Sequence, residues 1–310
     1  MHSPRELYTS VITNSSTSIL NAIGTGFGGA IGLNLQCHVK ASLLSKDSRD
    51  ENSIVVKNGS EDKHGLIPKC VSYVERFLSK KVPIENKLSI EIDSDIPLAV
   101  GLKSSSAVST GVVKSVARLL SGSDISARRI LQLSCNASKA SGASKTGAFD
   151  DAICCLLGGL AITDNRNFRV LRHEVVPKEL GDIAIVRIPA GPPVFTSSIE
   201  KRAYSPFKKN SLTALDLAIR NEIMGAMLMN SLVQCATLGY SSYPITSAME
   251  EGATCAGISG KGPAVVALCS NGKIARRIER KWLIEANASG KLIKIRNAKV
   301  VVQPKELLSS

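Results

Sequence analysis

A chain of 310 residues is long enough for one large domain or two medium ones, and 44% hydrophobic with 21% charged residues is a globular composition. No apolar run approaches the ~20 residues that span a bilayer, and the opening MHSPRELYTSVITNSSTS has no basic stretch leading into an apolar segment, so neither a membrane span nor an export signal is expected. The net charge of +13, from 39 basic and 26 acidic residues, suits nucleic acid or a polyanionic small molecule such as ATP and does not choose between them.

Aromatic residues are scarce at 4%, with Trp282 the only tryptophan, so the interior must be built from Val, Ile, Leu and Ala. The eight cysteines are dispersed and form no C-x-x-C pair, which points to a reducing, cytoplasmic setting. Cys154 and Cys155 sit in a small, apolar run and read as buried thiols.

In chain order, residues 31–44 and 53–57 are expected as strands and 65–80 as a helix. Residues 87–93 alternate apolar Leu88, Ile90 and Ile92 with polar neighbours, the pattern of a half-buried strand. A glycine, three serines and a helix follow, with Val108, Val112, Val116, Leu119 and Leu120 on one face. Asp124 signals the cap of a second helix over ISARRILQLSCNASKA. Gly158-Gly159 leads into the short strand LAIT, and the polar turn 164–167 is expected to separate two lobes, 1–165 and 166–310.

Beyond that turn, DIAIVRIPAG reads as a buried strand, 213–238 as one long helix and 245–253 as a short one. AGISGKGPAVVALC is a glycine loop and strand, 273–287 a helix, and KLIKIRNAKVVVQ a closing strand. The basic run from Lys273 to Lys281 belongs to the solvated face of that helix, since Ile274, Ile278 and Trp282 fall at helical spacing. Interleaved strands and helices in both halves indicate an α+β or α/β protein of two lobes.

The most informative segment is Pro97-Leu98-Ala99-Val100-Gly101-Leu102-Lys103-Ser104-Ser105-Ser106-Ala107, which leaves a strand and opens a helix. Free N–H groups and the positive end of the helix dipole stabilise phosphate oxygens there, and Gly101 lets the backbone approach them. The serine hydroxyls suit phosphate or Mg2+, a cation that prefers hard oxygen donors. Lys103 adds a mobile cation. The same residues would also make a Ser-capped helix after a glycine turn, and the Walker pattern is absent.

P-x-x-x-G-L-x-S-S-x-A resembles the second signature of the GHMP small-molecule kinases. Gly147-Ala148-Phe149-Asp150-Asp151-Ala152 is similar to that superfamily's aspartate motif, and Gly257-Ile258-Ser259-Gly260-Lys261-Gly262-Pro263-Ala264 to its C-terminal glycine loop. GLKSSSA, TGAFDDA, SGKGPAVVAL and the N-terminal TSILNAIGTGFGGAIGL resemble one branch, the archaeal-type shikimate kinases, from about Thr17 to Leu268. The resemblance implies an α+β GHMP kinase fold, with a ribosomal-S5-domain-2-like N-terminal lobe and a ferredoxin-like C-terminal lobe. It implies transfer of phosphate from ATP, with Mg2+, to the 3-hydroxyl of shikimate in aromatic amino-acid biosynthesis.

By the same resemblance, residues 97–107 hold ATP, Ser105 contributes to the metal site, and Asp150 orients and deprotonates the acceptor hydroxyl. Asp151 would assist, bind Mg2+ or only cap the helix, an alternative open to Asp150 as well. Asn21, Thr25, Asp151, Gly260 and Gly262 are expected to contact substrate. A basic residue after the PAGPPVFTSSIEKR loop, Lys201 or Arg202, is expected to meet the substrate carboxylate.

Two departures stand out. No lysine precedes Lys40, so the lysine that partners the aspartate in some GHMP kinases has no counterpart near the N-terminus, and LQLSCNASKA offers no glutamate for Mg2+. The rival readings are another GHMP kinase, such as a homoserine kinase, and a non-catalytic RNA-binding protein. Few base-stacking aromatics argue against the latter, and no nucleic-acid or membrane partner is expected.

Overall fold

The computed structural model describes residues 8–45, 54–57, 62, 65–83, 86–191 and 199–305. Its first half is assembled on one long strand, β2 (Phe27–Ser45). β1 (Tyr8–Leu20) runs antiparallel along one edge, from Tyr8 opposite Ser42 to Leu20 opposite Gly29, joined through the one-turn helix α1 (Ala22–Thr25). The other edge is shared: residues 37–45 pair with β4 (Asn86–Ser94) and residues 27–31 with β5 (Leu160–Asp164). β3 (Ile54–Lys57), parallel to β4, and β6 (Arg169–Glu174), antiparallel to β5, complete six strands.

The alternating residues of β4 land as their period requires, with Leu88, Ile90 and Ile92 buried. Four helices cover the sheet: α2 (Leu66–Leu78), α3 (Ser104–Ser121), α4 (Ala127–Ala140) and α5 (Phe149–Leu157). α3 and α5 lie on β1 and β2, and α2 and α4 pack against α3. Val108, Val112, Val116 and Leu119 of α3 are buried, as are Cys154 and Cys155 of α5. The cap of α4 is Ser126, whose hydroxyl accepts from the Arg129 amide; Asp124 is instead engaged by Arg118 at 2.6 Å.

The segment 164–167, expected to separate the lobes at 165/166, falls at the β5–β6 hairpin, where Asp164 ends β5 and residues 165–168 make the tight turn, so the first sheet continues to Glu174. The second sheet contains β7 (Ile183–Pro189), β8 (Cys255–Ile258), β9 (Val265–Cys269) and β10 (Ile293–Lys299) in the order β10-β7-β9-β8. Every neighbouring pair is antiparallel, and taken in chain order the arrangement is 4-1-3-2, the ferredoxin-like pattern.

The single helix expected over 213–238 is two, α6 (Lys208–Ile219) and α7 (Ile223–Leu238). The break falls at Asn221, which takes a left-handed φ of 70°, a conformation that asparagine tolerates and a helix cannot continue. α8 (Tyr243–Glu250) precedes β8, and α9 (Gly272–Ala288) buries Ile278 and Trp282 against the sheet while its basic residues face solvent. The Trp282 indole donates to the carbonyl of Pro244 at 2.9 Å, so even the one tryptophan is satisfied. After β10 the chain returns to the first lobe, where Gly159 donates to the Val301 carbonyl and Val301 to that of Gly32.

Candidate active site

The loop from β4 to α3 holds three residues in the left-handed region: Ala99 at φ 56°, Gly101 at 97° and Lys103 at 67°. Two are not glycine, and such backbone persists only where its surroundings hold it. Lys103 occupies the N-cap position of α3 but makes no side-chain cap, so no capping oxygen covers the amides of the first turn. Ser104, Ser105 and Ser106 open there onto a cavity of about 430 Å3.

Freed from capping, the Lys103 ammonium reaches 3.1 Å from Asp151 Oδ2 and donates to the Ser18 hydroxyl at 2.7 Å. The Ser16 hydroxyl lies 3.5 Å from the other Asp151 oxygen. The acidic pair thus takes its cation from the β4–α3 loop and not from the N-terminal segment.

Asp150 and Asp151 are the second and third residues of α5, whose N-cap is Ala148 at φ 50°, so neither aspartate is the cap. Both are buried. Asp150 accepts from the Asn165 amide at 2.8 Å, and the Thr163 hydroxyl fixes that amide by donating to its oxygen at 2.6 Å. A side chain at Gly28 would place Cβ 2.3 Å from Asp150 Oδ1, which explains one of the four N-terminal glycines.

Burial, then the charge of Asp151, pushes the Asp150 carboxyl up to about 7, against the opposing pull of Lys103 and Asn165. Burial also raises Asp151, while Lys103 and Ser16 counter it. The site therefore holds one carboxylate anchored by a cation beside one whose proton is exchangeable near neutrality.

The third segment is the loop between β8 and β9. The Ser259 hydroxyl donates to the Gly101 carbonyl at 2.7 Å and the Ala264 amide to that of Val100 at 3.1 Å, so the two loops are bonded backbone to backbone. A Cβ on Gly101 would stand 2.0 Å from the Ser259 carbonyl oxygen. Glycine is required there by this docking, in addition to any approach of phosphate. Gly260 is favoured by its left-handed φ of 58°; a Cβ there would lie 2.6 Å from Lys103 Nζ, the movable end of a long side chain.

Of the expected site residues, Asn21, Leu98, Ala99, Gly101, Lys103, Ser104, Ser105, Ser106, Asp150, Asp151 and Gly260 line the cavity. Pro97, Val100, Leu102, Ala107, Thr25 and Gly262 do not. Leu102 and Ala107 are core residues, Thr25 closes its own turn by accepting from the Phe27 amide, and Gly262 packs on the Tyr240 ring. Lys201 and Arg202 are exposed away from the cavity, and Arg202 pairs with Glu200. The sequence reading missed Ser18, Lys145, Thr146, Asn165 and Lys261 as lining residues. Asn165 had a signal in its polar turn, Ser18, Thr146 and Lys261 lay inside the segments that carry the resemblance, and Lys145 had none.

Among the described residues no group of three His, Cys, Asp or Glu is placed to hold a metal ion. The hydroxyl of Ser105, exposed in the first turn of α3, remains as a donor of the hard-oxygen type that Mg2+ takes alongside phosphate oxygens and water.

Residues 66–159 match the family model of the GHMP kinases N terminal domain. The chain is 36% identical to a shikimate kinase of Thermococcus kodakarensis over 255 residues, 82% of this chain and 90% of that protein. It is 34% identical to a shikimate kinase of Pyrococcus furiosus, over 87% and 93% of the two chains. In three dimensions it resembles a homoserine kinase from Cytophaga hutchinsonii, with a TM-score of 0.70 at 17% identity over 98% of each chain. A mevalonate kinase from Methanococcus jannaschii matches with a TM-score of 0.71 at 15% identity, over 96% of this chain and 99% of that one.

Proposed function

The chain belongs to the shikimate kinases of the GHMP kinase superfamily, and on that premise we propose that its cleft transfers the γ-phosphate of ATP to the 3-hydroxyl of shikimate, giving shikimate 3-phosphate for aromatic amino-acid biosynthesis. The observation that carries the reading is one cavity shared by the uncapped N-terminus of α3 and a buried carboxylate pair. Phosphoryl transfer asks a protein chiefly for positioning and charge stabilisation, and these two features supply both.

Asp150 acts on the acceptor. Its carboxylate orients the hydroxyl and takes its proton, and a carboxyl that titrates near 7 is a far better base than an ordinary aspartate. Asn165 holds it in place, and the neighbouring Asp151, anchored by Lys103, adds to its basicity. Lys145 lines the same cavity beside Thr146; its ammonium donates to the Ile199 carbonyl, which leaves its charge uncompensated, and it supplies the positive charge for the shikimate carboxylate in place of Lys201 or Arg202.

The amides and hydroxyls of residues 104–106 receive the phosphates. Mg2+, when bound, neutralises phosphate charge, with Ser105 as the protein's donor. We place the enzyme in the cytoplasm: all eight cysteines are free thiols, and no helix among the described residues is long and apolar enough to cross a membrane. A coupled assay of ADP release with shikimate, homoserine and mevalonate tests the reading. Turnover with shikimate at least a hundredfold above the other two is expected; preference for homoserine or mevalonate would reassign the acceptor.

A further inference from the structure

Lys261 is a cation that the reaction as described does not use. It sits at the tip of the β8–β9 loop and lines the cavity beside Gly260 and Lys103. Its backbone is fixed, because its carbonyl accepts from the Tyr240 hydroxyl at 2.9 Å and the flanking Gly262 amide donates to Ser259. The loop as a whole is tied to the phosphate loop through Ser259 and Ala264.

The charges around it do not balance. Lys103 is already neutralised by Asp151 at 3.1 Å, whereas Lys261 has no ion-pair partner among the described residues. The other titratable groups lining the cavity are Lys103 at the N-cap of α3, Lys145, Asp150 and Asp151 of α5, and Asp62, whose carboxylate is taken up by the amides of Leu66 and Ile67, with Tyr240 behind the loop after α7. Burial, and secondarily the charge of Lys103, depresses the Lys261 ammonium to about 8. An anchored, half-buried ammonium with no counter-ion is a site waiting for an anion.

We propose that Lys261 is the receptor for the terminal phosphate of the nucleotide, reaching it from the second lobe opposite the uncapped N-terminus of α3. This rests on the ATP-dependent reading above. Two sources of negative charge enter this cavity, the nucleotide's terminal phosphate and the acceptor's carboxylate. Lys261 follows Gly260, which borders Lys103 Nζ and the Gly101 carbonyl at the start of α3, and this favours the former; Lys145, next to Thr146 before the acidic helix, is the cation left for the latter. An interaction made to the terminal phosphate alone distinguishes ATP from ADP, so it would bias the site toward binding substrate and releasing product.

The test is calorimetric binding of Mg-ATP, Mg-ADP and shikimate to the full chain, as the parent, Lys261→Met and Lys261→Arg, with thermal transitions recorded for each. Lys261→Met is expected to weaken ATP by about ten- to a hundredfold, the scale of one charged hydrogen bond, with ADP and shikimate changed by less than threefold. Lys261→Arg should restore most of the ATP affinity. Equal weakening of ATP and ADP, or weakening of shikimate alone, would overturn the assignment, as would unchanged ATP affinity in a folded variant.

Should Lys261→Met not fold, the parent decides. Anion binding raises the pKa of the ammonium, so ATP affinity should fall up to tenfold between pH 8 and pH 9, beyond the titration of the phosphate itself, and stay flat in Lys261→Arg. A flat parent profile would overturn the proposal. A parent that binds no ATP at any pH would instead sink the kinase reading; a parent that binds ATP while the variants match it sinks only this one.

Discussion

The Lys103 ammonium and the Asp151 carboxylate meet at 3.1 Å across the cavity, both nearly withdrawn from solvent, and this contact ties the phosphate loop to the helix that carries the acidic pair. Breaking a buried pair by removing one charge leaves the other uncompensated, at about 3–5 kcal/mol. Asp151→Asn is therefore expected to lower the thermal transition markedly. A transition within a degree or two of the parent would show that the pair contributes nothing to the fold.

Asp150→Asn should behave in the opposite way. Its carboxyl is raised chiefly by burial and by the charge of Asp151, so a neutral replacement relieves strain, and stability is expected to hold or rise. kcat should drop about a hundredfold or more, with ATP affinity unchanged. A folded Asp150→Asn enzyme with near-parental kcat would make the aspartate structural and leave positioning alone as the source of the rate.

The pH dependence follows from the same group, and its sign is the reverse of the common acidic case. Asp150 titrates near 7 in the folded protein against about 4 when unfolded, so between those values the folded state binds more protons. Its contribution to stability is full below about pH 4 and declines as pH rises to about 7. kcat moves the other way, rising with unit slope in log rate below about pH 7, because the base must be deprotonated. Loss of that slope in Asp150→Asn, measured by steady-state turnover from pH 5 to 8, checks the assignment.

Gly28→Ala places a methyl 2.3 Å from Asp150 Oδ1, and the side chain cannot stay where it is. A misplacement of about 1 Å in catalytic geometry costs on the order of a hundredfold. The expected result is a large loss of kcat with ATP binding retained; parental turnover would mean that Asp150 does not act from its present position.

Lys145→Met should raise the KM for shikimate about tenfold or more while the KM for ATP stays near the parent's, and Arg202→Ala should change neither, since Arg202 is exposed and paired with Glu200. The reverse pattern in steady-state kinetics would return the carboxylate to the Lys201–Arg202 segment.

Gly101→Val tests the docking of the two loops as well as the approach of phosphate. The new side chain would collide with the Ser259 carbonyl and occupy a φ of 97°. Lower thermal stability is expected together with weaker ATP binding, and thermal melts beside calorimetry would show both. An unchanged melting temperature would place the glycine in solvent-facing backbone.

Much of this protein was legible one segment at a time. Alternation in Leu88, Ile90 and Ile92, the helical spacing of Ile278 and Trp282, and the order of three short motifs depend on local period and local chemistry, and those survive in a linear string. The same locality singled out Gly101, the serines after it and Asp150, which the structure brings to one cavity. It failed where two local signals competed, as at Asn221, where an apolar run hid a helix break, and at Asp124, where Arg118 claimed a side chain that looked like a cap. Only the tertiary structure decided which residue answers which. Lys103 and Asp151 are far apart in sequence, as are Gly28 and Asp150, Gly101 and Ser259, and Lys261 and the loop it faces. Each of these contacts is set by how α3, α5 and the β8–β9 loop stack on the two sheets, and a charge or a missing side chain takes its meaning from the neighbour that packing brings to it.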